Sequence, residues 1–210
     1  MPVLACQQPM MSLTIVRHAP RGAASRIYQA ANRSFMTSTA SRSAQQLAGY
    51  NGSTPLYHHQ PSGQLSFLDT PPVFPGSPTV IGTLSAQGRF QGNPSFVDLL
   101  HSVFCGVYLD DPYVRDLALS RKSASADSYL HVLGTRTKSQ HINDRDPASI
   151  IFSFLAQSTT GLPVPDTYEP NPALRIYTPL DGFLVFPASL QQALLKGCKV
   201  ARMIEEDSTN

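Results

Sequence analysis

Acid is what the front of this chain lacks. No aspartate or glutamate precedes Asp69, and no lysine does either, although Arg17, Arg21, Arg26, Arg33 and Arg42 all fall before it. Cysteine is scarce. Cys6, Cys105 and Cys198 stand far apart with no paired spacing, which argues against a disulfide framework or a zinc site. Cys105 and Cys198 therefore read as buried thiols of a reducing compartment. No apolar run reaches the ~18 residues that a membrane-spanning helix needs. The longest apolar stretches, 103–109 and 150–156, are of core length. Also missing are H-E-x-x-H, a Gly-rich phosphate loop, a nucleophile elbow and a dinucleotide fingerprint, so neither metal nor cofactor is expected.

Arginine without acid, with Ser, Ala and Gln between, is the composition of a mitochondrial targeting presequence. A helix over about 22–35 would place Ala23, Ile27, Ala30, Ala31 and Ser34 on one face, and Arg26, Gln29 and Arg33 on another. Import receptors take the apolar stripe. The membrane potential pulls the charges, each worth about 2.3 kcal/mol per 100 mV. Arg33-Ser34-Phe35-Met36-Thr37-Ser38 resembles the two-step matrix-processing pattern, which implies a mature start near Ser43, with a single cut near Phe35 as the other choice. The expectation is a presequence over 1–42 and residence in the mitochondrial matrix. No Lys or Arg precedes the first apolar residues, and Gln7-Gln8-Pro9 interrupts them, which disfavours a secretory signal. Without 1–42, eleven basic residues face fourteen acidic ones, a net charge of −3. The formal +2 of the whole chain thus belongs to the leader, and bulk charge does not favour a nucleic-acid binder.

Residues 43–92 are dense in proline and glycine, and carry only Asp69 and Arg89 as charges. Long regular elements cannot propagate through such spacing. Yet Tyr57, Phe67, Phe74, Ile81 and Phe90 recur along it, and a solvated linker is poor in such residues. The reading is an extended arm whose apolar anchors lie on a surface, either its own domain or a partner. Ordering it costs ~1–2 kcal/mol per residue, so the anchors must be buried to offset that.

A small globular α+β domain is expected over 93–206, mostly helical, ending in a β-hairpin and a terminal helix. Asn93-Pro94-Ser95, with Asp98 following, opens the first helix, and Phe96, Leu99, Leu100, Val103 and Val107 keep helical spacing. Asp111-Pro112 opens a second, with acid as cap and proline in the first turn. Asp146-Pro147 leads into Ile150–Leu155, where β-branched and aromatic residues make a buried strand the alternative. Residues 174–178 and 183–186 flank Pro179-Leu180-Asp181-Gly182 as a hairpin. Ser189 and Gln192 have capping-box spacing for the last helix, whose inward face is Leu190, Leu194, Gly197, Cys198, Ala201 and Ile204.

Few residues carry chemistry. Leu13-Thr14-Ile15-Val16-Arg17-His18-Ala19 resembles the opening strand of the histidine phosphatase superfamily. The resemblance implies His18 as phosphoryl acceptor and Arg17 as phosphate ligand. No later His-Gly pair and no alternating βα pattern accompany it, and it lies within the leader. His58-His59 is an adjacent pair, which shares no face of a helix or strand. Arg121, Lys122, Arg136, Lys138 and Arg145 form a local basic zone that would suit RNA or a carboxylate-rich surface, diluted by Asp144 and Asp146. The expected function is a non-catalytic accessory or assembly subunit of a larger mitochondrial complex, with other mitochondrial subunits as partners and RNA not favoured. The anchors Tyr57, Phe67, Phe74, Ile81 and Phe90 would dock it. The alternative is a small mitochondrial enzyme using scattered groups such as His101, Arg121, His131 and Asp144.

Overall fold

A computed structural model describes residues 44–138 and 146–209. The presequence, the His18 motif, His141, Asp144 and Arg145 lie outside the described residues.

The segment expected to be an extended arm is a five-stranded antiparallel sheet. Its strands are β1 (Ala44–Gln46), β2 (Tyr57–His59), β3 (Gln64–Ser66), β4 (Val80–Leu84) and β5 (Phe90–Gly92), each paired with the next in chain order. The prolines and most of the glycines that argued against regular structure occupy the turns, whereas Gly82 and Gly92 lie within β4 and β5. Gly63, at φ +70°, sits between β2 and β3, where a Cβ would run into the Leu84 carbonyl at 2.6 Å. Pro71, Pro72, Pro75 and Pro78 all fall in the connection from β3 to β4. Strands of three to five residues need no longer uninterrupted runs than these. The backbone of the inner strands is satisfied by neighbours on both sides, and Leu56, Leu65, Phe67, Leu68, Val80 and Ile81 are buried. The expectation of a mostly helical domain preceded by an arm is therefore corrected.

Next come two helices. α1 (Pro94–Val107) is capped by Asn93, whose side-chain oxygen accepts the Ser95 N–H at 3.2 Å. The Asn93 amide also donates to the Ser77 and Val80 carbonyls, both at 2.8 Å, and so fixes the helix start against the entry to β4. α2 (Pro112–Leu119) is capped by Asp111, which accepts from the Tyr113 and Val114 N–H groups. Then β6 (Ser128–Leu133) and β7 (Thr135–Arg136) run on through Gly134. A 3-10 turn at Pro147–Ser149 delivers β8 (Ile150–Gln157). β9 (Leu162–Pro163), β10 (Glu169–Pro170), β11 (Tyr177–Thr178) and β12 (Gly182–Val185) follow, and α3 (Ala188–Thr209) closes the fold.

The second sheet has the order β10-β8-β6 with β9 also on β8, and the third has the order β11-β12-β7; both are antiparallel. The expected hairpin is β11–β12, in the register Tyr177↔Phe183 and Thr178↔Gly182. The Ile150–Leu155 run is the strand alternative: Asp146 caps only one 3-10 turn before β-branched side chains take the chain into β8.

One hydrophobic cluster joins the three sheets to the helices. Phe67, beyond β3, meets Phe96 of α1 and Phe186 beside α3, and Phe104 meets Phe152 and Phe186. α3 buries Leu190, Leu194 and Cys198, and the Cys198 thiol is pushed up to about 12 by burial. Cys105, on α1, departs from the expected buried thiol: it is only half-buried and is disulfide-bonded. Gly197 lets α3 approach α1, since a Cβ there would lie 2.5 Å from a methyl of Val103. Ile204 departs from the expected inward face and is 62% exposed. Among the described residues no helix is long and apolar enough to cross a membrane.

Candidate functional site

The first sheet ends abruptly at β5. Arg89 accepts from the Ser85 N–H at 2.9 Å, and the Asn93 N–H reaches the Ile81 carbonyl at 3.0 Å. Residues 89, 91 and 93 thus turn their backbone groups toward β4. By strand alternation the N–H and C=O groups of Phe90 and Gly92 point the other way, along the outer edge. Among the described residues no strand takes them, and Pro94 starts α1 at once. An edge of this kind is a template for another extended backbone.

A groove of about 470 Å³ runs beside that edge. Ile81, Phe90 and Gly92 form one wall, the first turns of α1 with Val97 and Asp98 close an end, and Leu174, Arg175, Ile176 and Tyr177 form the facing wall. The aromatic wall is rigid. The Phe90 ring packs across Gly82, where a Cβ would collide with it, and lies 5.3 Å from Tyr177 and 5.6 Å from Phe183. The facing wall is held from behind, because Ile176 accepts from the Leu184 N–H at 2.8 Å and Arg175 donates its N–H to the Ala148 carbonyl. Exposed Asp98 and Arg175 give the apolar groove one acidic and one basic residue.

Two of the five expected docking residues, Ile81 and Phe90, line this groove. Tyr57 and Phe67 line a separate, smaller cleft of about 230 Å³ with Asp69 and Lys199. Phe74 lies in the β3–β4 connection, 45% exposed. Facing-wall residues 174–177 were missed as site residues, for they stand some eighty positions from β5 and no local signal couples the two stretches.

The four described residues of the basic zone, Arg121, Lys122, Arg136 and Lys138, do not form one surface patch. Arg136 is buried: it donates to Ser149 Oγ at 3.2 Å, to the Arg175 carbonyl at 2.7 Å and to the Ala148 carbonyl at 2.7 Å. Burial lowers its pKa, and Asp146 and Asp181 oppose that shift. It is a structural clamp with no surface left for a partner. Arg121 and Lys122 follow α2 near Ser158, whereas Lys138 lies by Pro179. These lie toward opposite ends of the β6–β7 run, whose two strands belong to different sheets.

Among the described candidates for catalysis, His101, Arg121 and His131 do not converge. His101 meets the Tyr168 hydroxyl at 2.8 Å, and Tyr168 packs its ring on Phe152, on the core side of the second sheet. His131 meets Ser153 Oγ at 2.7 Å, and Ser153 alternates with Phe152 along β8, so it lies on the solvent side. Burial lowers His101, with Asp98 opposing, and burial raises Tyr168. His58 and His59 diverge, for His59 is buried with Nε2 on the Leu68 carbonyl at 3.1 Å while His58 contacts Gln60. Among the described residues no group of three or more His, Cys, Asp or Glu could hold a metal ion.

No protein family, curated protein or solved structure matches this chain. The functional reading rests on the geometry alone. The groove offers the chemistry of contact: a ready backbone edge, an apolar trough and two opposite charges, while the hydrogen-bonded pair His131 and Ser153 lies outside its lining on the second sheet.

Proposed function

We propose that this protein is a non-catalytic accessory or assembly subunit of a larger mitochondrial complex. It docks by taking an extended segment of another subunit into the groove between β5 and residues 174–177. The observation that carries this reading is the open edge of β5 beside the apolar trough. An incoming strand would bond to the outward groups of Phe90 and Gly92 and seat an apolar side chain between Phe90 and Val97. The acid-free, arginine-bearing front of the sequence supports the mitochondrial, matrix-side address.

The test is affinity purification of the full chain from its own cells, followed by native mass measurement. A stoichiometric companion is expected, and it is lost in Gly92→Pro, which deletes an outward N–H without touching the ladder to β4. A companion retained by Gly92→Pro, or a monomer with none, overturns the reading. A fluorescent fusion of residues 1–45 tests the address separately, and a diffuse cytosolic signal removes it.

A further inference from the structure

α3 carries a second unpartnered surface, and its sequence order says what covers it. Val200, Met203 and Ile204 are 57%, 64% and 62% exposed, although helix interiors of this kind normally turn such residues inward. Lys196 and Asp207, both exposed, bracket them. The positions 196, 200, 203 and 207 follow a 4-3-4 spacing, which lines them up as one seam along the helix. The face opposite the seam is the one buried in the core through Leu194 and Cys198.

The charges are arranged so that the seam complements itself when reversed. Its N-terminal end is basic and its C-terminal end acidic, with apolar residues between. Laid antiparallel on a second copy, Val200 meets Met203, Lys196 meets Asp207, and the same contacts recur across the twofold axis. Laid parallel, Lys196 would face Lys196 and Asp207 would face Asp207. A surface evolved for an unrelated partner has no reason to be symmetric under reversal, and a membrane surface would not reward an acid within the seam.

We propose that the protein forms a homodimer through α3, two copies pairing antiparallel about an axis between Val200 and Met203. The inference is independent of the groove reading, since none of its residues lines that groove. The seam is short beside a standard interface of ~1,600 Å², so dissociation constants on the order of 10 μM are expected.

Sedimentation equilibrium of the full chain across concentration tests this. The expected result is a reversible monomer–dimer equilibrium, weakened about tenfold or more by Met203→Asp. Lys196→Asp alone and Asp207→Lys alone should each be monomeric, while their equimolar mixture recovers the dimer. All of these positions are exposed, and circular dichroism verifies that each variant is folded. A chain that is monomeric at every concentration overturns the proposal. So does a dimer indifferent to Met203→Asp, or charge variants whose mixture stays monomeric. A dimer that forms when the groove variant has lost its companion keeps the two readings distinct.

Discussion

The side-chain oxygen of Gln191 accepts the backbone N–H of Ser53 at 2.9 Å, across 138 positions of sequence. The same oxygen accepts the Ser53 hydroxyl at 3.0 Å, and the amide nitrogen donates to the Tyr50 hydroxyl and the Thr54 carbonyl. Gln191 is fully buried, with each polar atom of its side chain engaged. It ties the connection from β1 to β2 onto the first turn of α3. Gln191→Leu fills a similar volume but leaves these groups without a partner. A loss of about 2–3 kcal/mol is expected, read as a lower urea midpoint at unchanged slope.

Gly197 and Val103 form the closest approach of α1 and α3. Gly197→Ala gains up to about 1 kcal/mol of helix propensity but drives a methyl into the stiff, branched Val103 side chain. Overpacking of this sort costs about 1–3 kcal/mol, so the net effect is destabilising. In a Val103→Ala background the same change should be neutral or stabilising. A double-mutant cycle by chemical denaturation measures the coupling, and simple additivity would sink the explanation.

Stability should fall on mild acidification. His59 is buried with its Nε2–H donated to the Leu68 carbonyl, and Nδ1 has no hydrogen-bond partner among the described residues. Burial lowers its pKa, with His58 and Arg202 acting the same way and the Leu68 bond and Asp69 opposing; burial also lowers His101. The unfolded chain therefore takes up these protons first as pH drops below ~6.5. Stability is full above that value and is lost as pH falls toward the depressed native values. The denaturation midpoint at pH 5.5 should lie below that at pH 7.5, with a shallower dependence in His59→Gln.

Arg136 holds β7, the 3-10 turn and residue 175 together through three hydrogen bonds. A lysine cannot reproduce the planar fork, so Arg136→Lys should cost about 2–4 kcal/mol. Charge reversal at exposed Arg121 or Lys122 should change stability by less than about 0.5 kcal/mol. Thermal melts of the three variants check the contrast.

The elements legible in the sequence are those written in local chemistry. Asn93-Pro94 and Asp111-Pro112 announced their helices because a cap and the proline after it act within three residues. Pro179–Gly182 announced its hairpin for the same reason. The first sheet stayed hidden because its strands are too short to display a period, and because the anchors that fill the core, such as Leu65 and Phe67, look the same on an arm as on a strand. Tyr129–Leu133 carries no turn or cap signal of its own, and β8 supplies the partner that makes it a strand. The groove was half legible: Ile81 and Phe90 were singled out as apolar anchors, but the wall opposite them comes from a remote loop. Arg136 shows the converse failure, a cation whose sequence neighbours suggest surface and whose fold makes it a buried brace.

The bond from Gln191 back to Ser53 has a kinetic corollary. During synthesis the first sheet can close on α1 but lacks the part of its core that α3 supplies. The cluster of Leu56, Leu65 and Phe67 stays only partly covered until the final twenty or so residues arrive. A product halted before Ala188 should then be sticky and short-lived, so completion of the last helix acts as a checkpoint on the whole molecule.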